Sequence, residues 1–166
     1  FWWAERRAAW PVLPLQLFRV RGVVISSVTM FMAHFGAFVI WFIFPFYVGN
    51  SLGHGSFALG VMMAVMAAAN TGFSSTGGWL CDRVGTTAIG TIGLTALSAG
   101  LLLMGFLDAE SGLDQVALRI ALVGVGTGLF QASAFTLMMS SVPVQRFGTA
   151  GAAITLAQSL GTVLSV

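Results

Sequence analysis

FALGVMMAVMAAANTGFSSTGGWLCDRVGTTAIGTIGLTALSAGLLLMGFL, residues 57–107, holds two long apolar runs with a single charged step between them. Asp82 and Arg83 form that step, and from Gly22 to Leu107 no other side chain carries a formal charge. About 20 apolar residues in a helix cross roughly 30 Å of hydrocarbon, and each run reaches that length. Neither run shows the period-two alternation of a barrel strand. In lipid, backbone groups find partners only inside a helix or a closed barrel. The stretch therefore reads as two membrane-spanning helices joined by a short polar turn.

The rest of the 166-residue chain follows suit. Hydrophobic residues make up 57% of it and charged residues 7%, against about 25% charged in a soluble domain, so there is too little polar surface to cover a globule in water. Four full spans are expected at about 23–48, 57–80, 88–107 and 116–139, with a fifth, truncated one over 149–166. Phe1–Ala4 reads as the tail of an earlier span, and residues 1–22 as a cytoplasmic lead-in. The breaks carry turn chemistry: Gly49–Ser56, Asp82–Thr87, Asp108–Gln115, and Val142–Gly148 with Pro143. The expected fold is an all-α, polytopic helical bundle integral to a membrane. Both ends of the chain lie in apolar stretches, and it is read as a fragment of a longer membrane protein.

All seven basic residues are arginines, and their placement orients the bundle. Alternating the breaks from side to side puts Arg6, Arg7, Arg19, Arg21, Arg83 and Arg146 on one side. The opposite side has the uncharged Gly49–Ser56 and the acidic Asp108, Glu110 and Asp114, with Arg119 a turn into its helix. The arginine side is expected to be cytoplasmic. A net charge of +2, scattered in this way, is no nucleic-acid footprint. The single cysteine, Cys81, excludes an internal disulfide and a multi-cysteine metal site. No metal-ligand spacing, nucleophile–base pair or cofactor motif is present. The GVGTG run at 124–128 lies inside an apolar helix, without the strand-turn-helix setting of a dinucleotide site. The chain is not expected to be an enzyme or to hold a cofactor.

Gly78-x-Leu80-x-Asp82-Arg83-x-Gly85 resembles the core of the signature loop of the major facilitator superfamily. There the loop joins spans two and three and recurs in weaker form between spans eight and nine. Thr86 and Thr87 stand where the full signature continues with basic residues, which suits the weaker copy. The glycines allow a tight turn and close helix approach, and the carboxylate can meet the positive end of a neighbouring helix while Arg83 steadies it. Otherwise the two charges simply keep a short loop in water. ERRAAWPVLPLQLFRVR (5–21) is similar to the tract before the C-terminal bundle of fourteen-span drug:proton antiporters, or is a membrane-surface anchor. FPFYVGNSLG (44–53) resembles the outer end of the following span in that branch. The stretch 119–161 is similar to the family's tenth span, inner loop and start of the eleventh. Gly124 and Gly128 make a small-residue face for helix packing, with Gly126 between them a further packing residue.

The resemblance implies most of the C-terminal six-helix half of a major facilitator fold. Its partners would be the lipid bilayer, a missing N-terminal bundle of the same polypeptide, a small-molecule substrate and protons. It also implies proton-coupled multidrug efflux by alternating access, in a bacterial inner membrane. An importer of another solute and a non-transporting helical scaffold are the alternatives. His34, in mid-span, is a proton-coupling candidate or a neutral ring bonded to a neighbouring helix. Arg119 either pairs with an acid, lines the pathway, or snorkels to the outer surface. Asn70, Gln131 and Gln158 either touch substrate or hold helices together. The same resemblance gives Asp82 a partner in the absent bundle and makes Thr149–Gly151 the receiver of the reciprocal contact.

Overall fold

The computed structural model describes residues 20–51, 55–107 and 112–165. The lead-in tract (5–18), the expected tail of an earlier span (Phe1–Ala4), and the acids Asp108 and Glu110 lie outside the described residues.

Five long helices make up the described chain: α1 (Arg21–Phe46), α2 (Ser56–Val84), α3 (Thr86–Met104), α4 (Leu113–Ser140) and α5 (Phe147–Leu164). There is no strand among the described residues. α2, α3, α4 and the run Val144–Leu164 are each long and apolar enough to cross a membrane, as an all-α integral membrane protein requires.

The helix ends depart from the expected breaks in informative ways. α1 carries Pro45 in its last turn and passes into a π-helical turn at Tyr47–Ser51. Proline has no N–H to donate and crowds the preceding turn, so the regular ladder ends there. Asp82–Thr87 is not a loop. α2 runs on through Val84, Gly85 adopts φ +102°, and α3 starts at Thr86. Side-chain-bearing residues rarely adopt that backbone conformation, so this one glycine turns the chain between two helices. At 29 residues, α2 is about 43 Å long, longer than the hydrocarbon layer. Its charged turn can leave the lipid without leaving the helix. In the same way α4 starts at Leu113 and places Asp114 in its first turn, where the positive end of the helix favours an acid. The Val142–Gly148 break holds a short 3-10 turn, Val144–Arg146, and α5 starts two residues earlier than expected.

The chain divides into two compact units. In one, residues 20–36 of α1 pack with 134–165. Gly22 lies so close to Ser141 that a Cβ would strike its hydroxyl, and Gly161 of α5 lies against Phe31 and His34 of α1. In the other, residues 37–133, α4 is the central element. From Val123 to Phe130 it is buried at every position except Val125. Cys81, Ile89 and Leu129 join α2, α3 and α4 in one apolar cluster.

Candidate functional site

The charged step lies on the last turns of α2. Adjacent residues on a helix point about 100° apart, so Asp82 and Arg83 do not face each other. The expectation that Arg83 steadies Asp82 is corrected. The Arg83 guanidinium lies 4.0 Å from the centre of the Trp79 ring, four residues back, a cation–π geometry. Asp82 is exposed, and among the described residues nothing forms an ion pair or hydrogen bond with it. Among the described residues, nothing lies within 4 Å of a Cβ built on Gly78. The close approach to α4 is made by its neighbour Gly77, where a Cβ would lie 3.0 Å from the Ala132 Cβ.

One turn of α4 meets two helices at once. A Cβ on Gly124 would lie 2.5 Å from the Met66 carbonyl oxygen, and one on Gly128 2.5 Å from that of Asn70, both on α2. Gly126 points the other way, onto the Leu97 and Ala96 backbone of α3. From α3, a Cβ on Gly93 would lie 2.5 Å from the Phe130 amide nitrogen. Small residues at this spacing let backbones approach, so dispersion contacts replace the hydrophobic drive that lipid does not supply. Inside the seam the Asn70 amide donates to the Thr127 hydroxyl at 2.9 Å. Thr127 in turn donates to the carbonyls of Val123 or Gly124, each 2.9 Å away. Asn70 therefore holds α2 to α4.

His34 occupies the middle of α1 in the other unit. Its Nδ1 lies 3.0 Å from the Met30 carbonyl oxygen, and the Gln158 amide of α5 donates to the Met30 sulfur at 3.6 Å. Met30 is fully buried between these two half-buried polar side chains. On the same helix, Ser26 and Ser27 are buried, and their hydroxyls have no hydrogen-bond partner among the described residues. Arg119 reaches the C-terminal end of α3. It donates to the Leu103 carbonyl oxygen at 2.9 Å, an acceptor that also takes the Phe106 N–H at 3.3 Å. Gln131 is half-buried on α4 and makes no hydrogen bond among the described residues.

The family model of the Major Facilitator Superfamily matches residues 4–166. The chain belongs to this superfamily. It is 28% identical over 158 residues to the uncharacterized transporter YebQ of Escherichia coli, covering 93% of this chain and 35% of that protein. To the multidrug resistance protein Stp of Mycobacterium tuberculosis it is 27% identical over 164 residues, 99% of this chain and 30% of that protein. It is also similar to the tetracenomycin C resistance and export protein of Streptomyces glaucescens, at 26% identity, with 96% of this chain and 30% of that protein covered. The chain thus spans about a third of the length of the curated relatives it matches.

The superfamily is made up of transporters, and the polar residues of this member fall into separate groups. Asn70 joins the Gly124–Gly128 seam, and His34 and Gln158 meet at Met30, while Gln131, Arg119 and the Asp82–Arg83 step are not drawn into either. Thr127, Met30, Gly93 and Gly161 were missed by the sequence reading. Gly93 and Gly100, seven residues apart and thus on one helix face, carried a usable signal. Met30 offers a backbone carbonyl and a thioether, and neither is visible in a hydropathy pattern.

Proposed function

We propose that this chain is part of a secondary transporter that expels hydrophobic or cationic small molecules in exchange for protons, by alternating access. The observation that carries the reading is its match, over nearly its whole length, to proteins named for multidrug resistance and for tetracenomycin C export. In this reading the rest of the longer polypeptide supplies the opposing bundle, and the substrate site lies between the two. His34, Gln158, Asn70, Gln131 and Arg119 are the candidates on this side of the pathway. The expected spans contain no Asp or Glu, so the acid that carries the proton belongs to the rest of the protein.

The test is flux of a cationic dye, ethidium, in vesicles containing the full-length protein under an imposed proton gradient. Expulsion that collapses with the gradient supports the reading, whereas flux indifferent to the gradient would falsify the proton coupling.

We place the arginine-bearing turns on the cytoplasmic side of a bacterial inner membrane, on the strength of the arginine asymmetry. With Cys81→Ser as background, Gly112→Cys should react with an impermeant maleimide in intact cells and Gln145→Cys should not. Both positions are exposed in the fold, so the reverse pattern would invert the assignment.

A further inference from the structure

The contact between His34 and Met30 assigns the ring proton to one nitrogen. A carbonyl oxygen only accepts, so Nδ1, 3.0 Å from the Met30 oxygen, must be the donor. The lone pair of the neutral ring is then on Nε2, which has no hydrogen-bond partner among the described residues. The neighbouring amide is arranged alike. Gln158 spends an N–H on the Met30 sulfur, and its Oε1 is left without a donor among the described residues.

Two acceptors and no spare ring donor are therefore held within one turn of α1 and α5. Gly161 sets their spacing, since a Cβ there would lie 3.2 Å from that of His34. Neither α1 nor α5 contains an acid, so no carboxylate of these helices competes for a donor. An acceptor with no donor is costly in hydrocarbon, so these two atoms call for a donor from outside the described residues.

We propose that His34 Nε2, together with Gln158 Oε1, accepts a hydrogen bond from an N–H or O–H group of the transported molecule. The site thereby favours solutes that bring such a donor. The inference rests on the transporter reading above.

Two substitutions separate the ring's two nitrogens. In His34→Asn the amide nitrogen can replace Nδ1 and donate to Met30, but nothing stands at the Nε2 position. In His34→Gln the side chain reaches that position with an acceptor oxygen and gives up the Met30 contact. Each is made in the full-length protein and assayed with ethidium, which has two aromatic amines, and with tetraphenylphosphonium, which has no N–H or O–H.

The Asn variant should raise the apparent KM for ethidium roughly three- to tenfold. The Gln variant should stay within about twofold of the parent, and in the Asn variant the loss should be larger for ethidium than for tetraphenylphosphonium at matched amounts of folded protein. Ethidium transport kept by Asn and lost by Gln overturns the proposal, because the Met30 contact alone would then matter. Equal loss of both dyes in the Asn variant overturns it too. If the unsubstituted protein moves neither dye, the efflux reading fails and this inference falls with it.

Discussion

Gly126→Val is expected to remove most of the folded full-length protein, and Gly126→Ala to weaken it measurably. A Cβ at this position meets the Leu97 amide nitrogen, with the Leu97 Cα at 2.6 Å and the Ala96 carbonyl carbon at 2.9 Å. All three are backbone atoms, so no change of rotamer relieves the overlap, and α3 as a whole has to move. Moving it also disturbs Gly90 against Ser133, Gly93 against Phe130 and Gly100 against Val123, further close contacts of the same pair. In a helix, alanine gains about 1 kcal/mol over glycine, whereas forced overpacking costs about 1–3 kcal/mol or more. The clash therefore outweighs the propensity, and valine adds two methyl groups to it. Gly72→Ala is the control, because nothing lies within 4 Å of a Cβ there. Thermal unfolding in detergent should put Gly126→Ala about 3 °C or more below the Gly72→Ala control. Equal stability of the two would mean that α3 and α4 do not meet backbone to backbone.

Asp82→Asn is expected to cut transport about tenfold or more while leaving the amount of folded protein within about twofold, the difference being a lost charge-to-helix-end contact. Among the described residues the carboxylate has no contact to lose. It is exposed, it has no partner among the described residues, and Arg83 is turned onto Trp79. Its position two residues before the end of α2 is electrostatically unfavourable, since the C-terminal end of a helix carries partial negative charge. Asparagine should thus leave α2 as stable as before or slightly more so. Any loss of transport must then come from a contact made outside the described fold, as a latch between bundles requires. Transport at the parental rate, in a variant present at the parental level, would sink the latch.

These two residues also mark how far the sequence could be read. The glycines at 124 and 128 fall on one helix face by their spacing, so a packing role was legible. That Gly126 serves a third helix was not, because spacing says which way a residue points and not what stands there. The Asp82–Arg83 step was recognised as the place where the chain leaves the lipid. It was expected to be a loop and instead forms the last turn of α2, since in so apolar a sequence a charge reports depth in the membrane and leaves the backbone conformation open. Arg119 shows the same limit. Its guanidinium reaches a carbonyl sixteen residues away on another helix, and backbone acceptors leave no trace in side-chain patterns.

The amino-acid sequence alone determined that the chain is all-helical and built to span a membrane. Hydrocarbon offers backbone groups no partner outside such structures, and a run of about 20 apolar residues can satisfy them in one way only. The tertiary structure alone decided which polar groups find partners. Asn70 is paired with Thr127, Met30 holds His34 and Gln158, and Asp82 is left open. Hydrogen bonds and backbone contacts act over about 3 Å, and positions that close in space are here up to 128 residues apart along the chain.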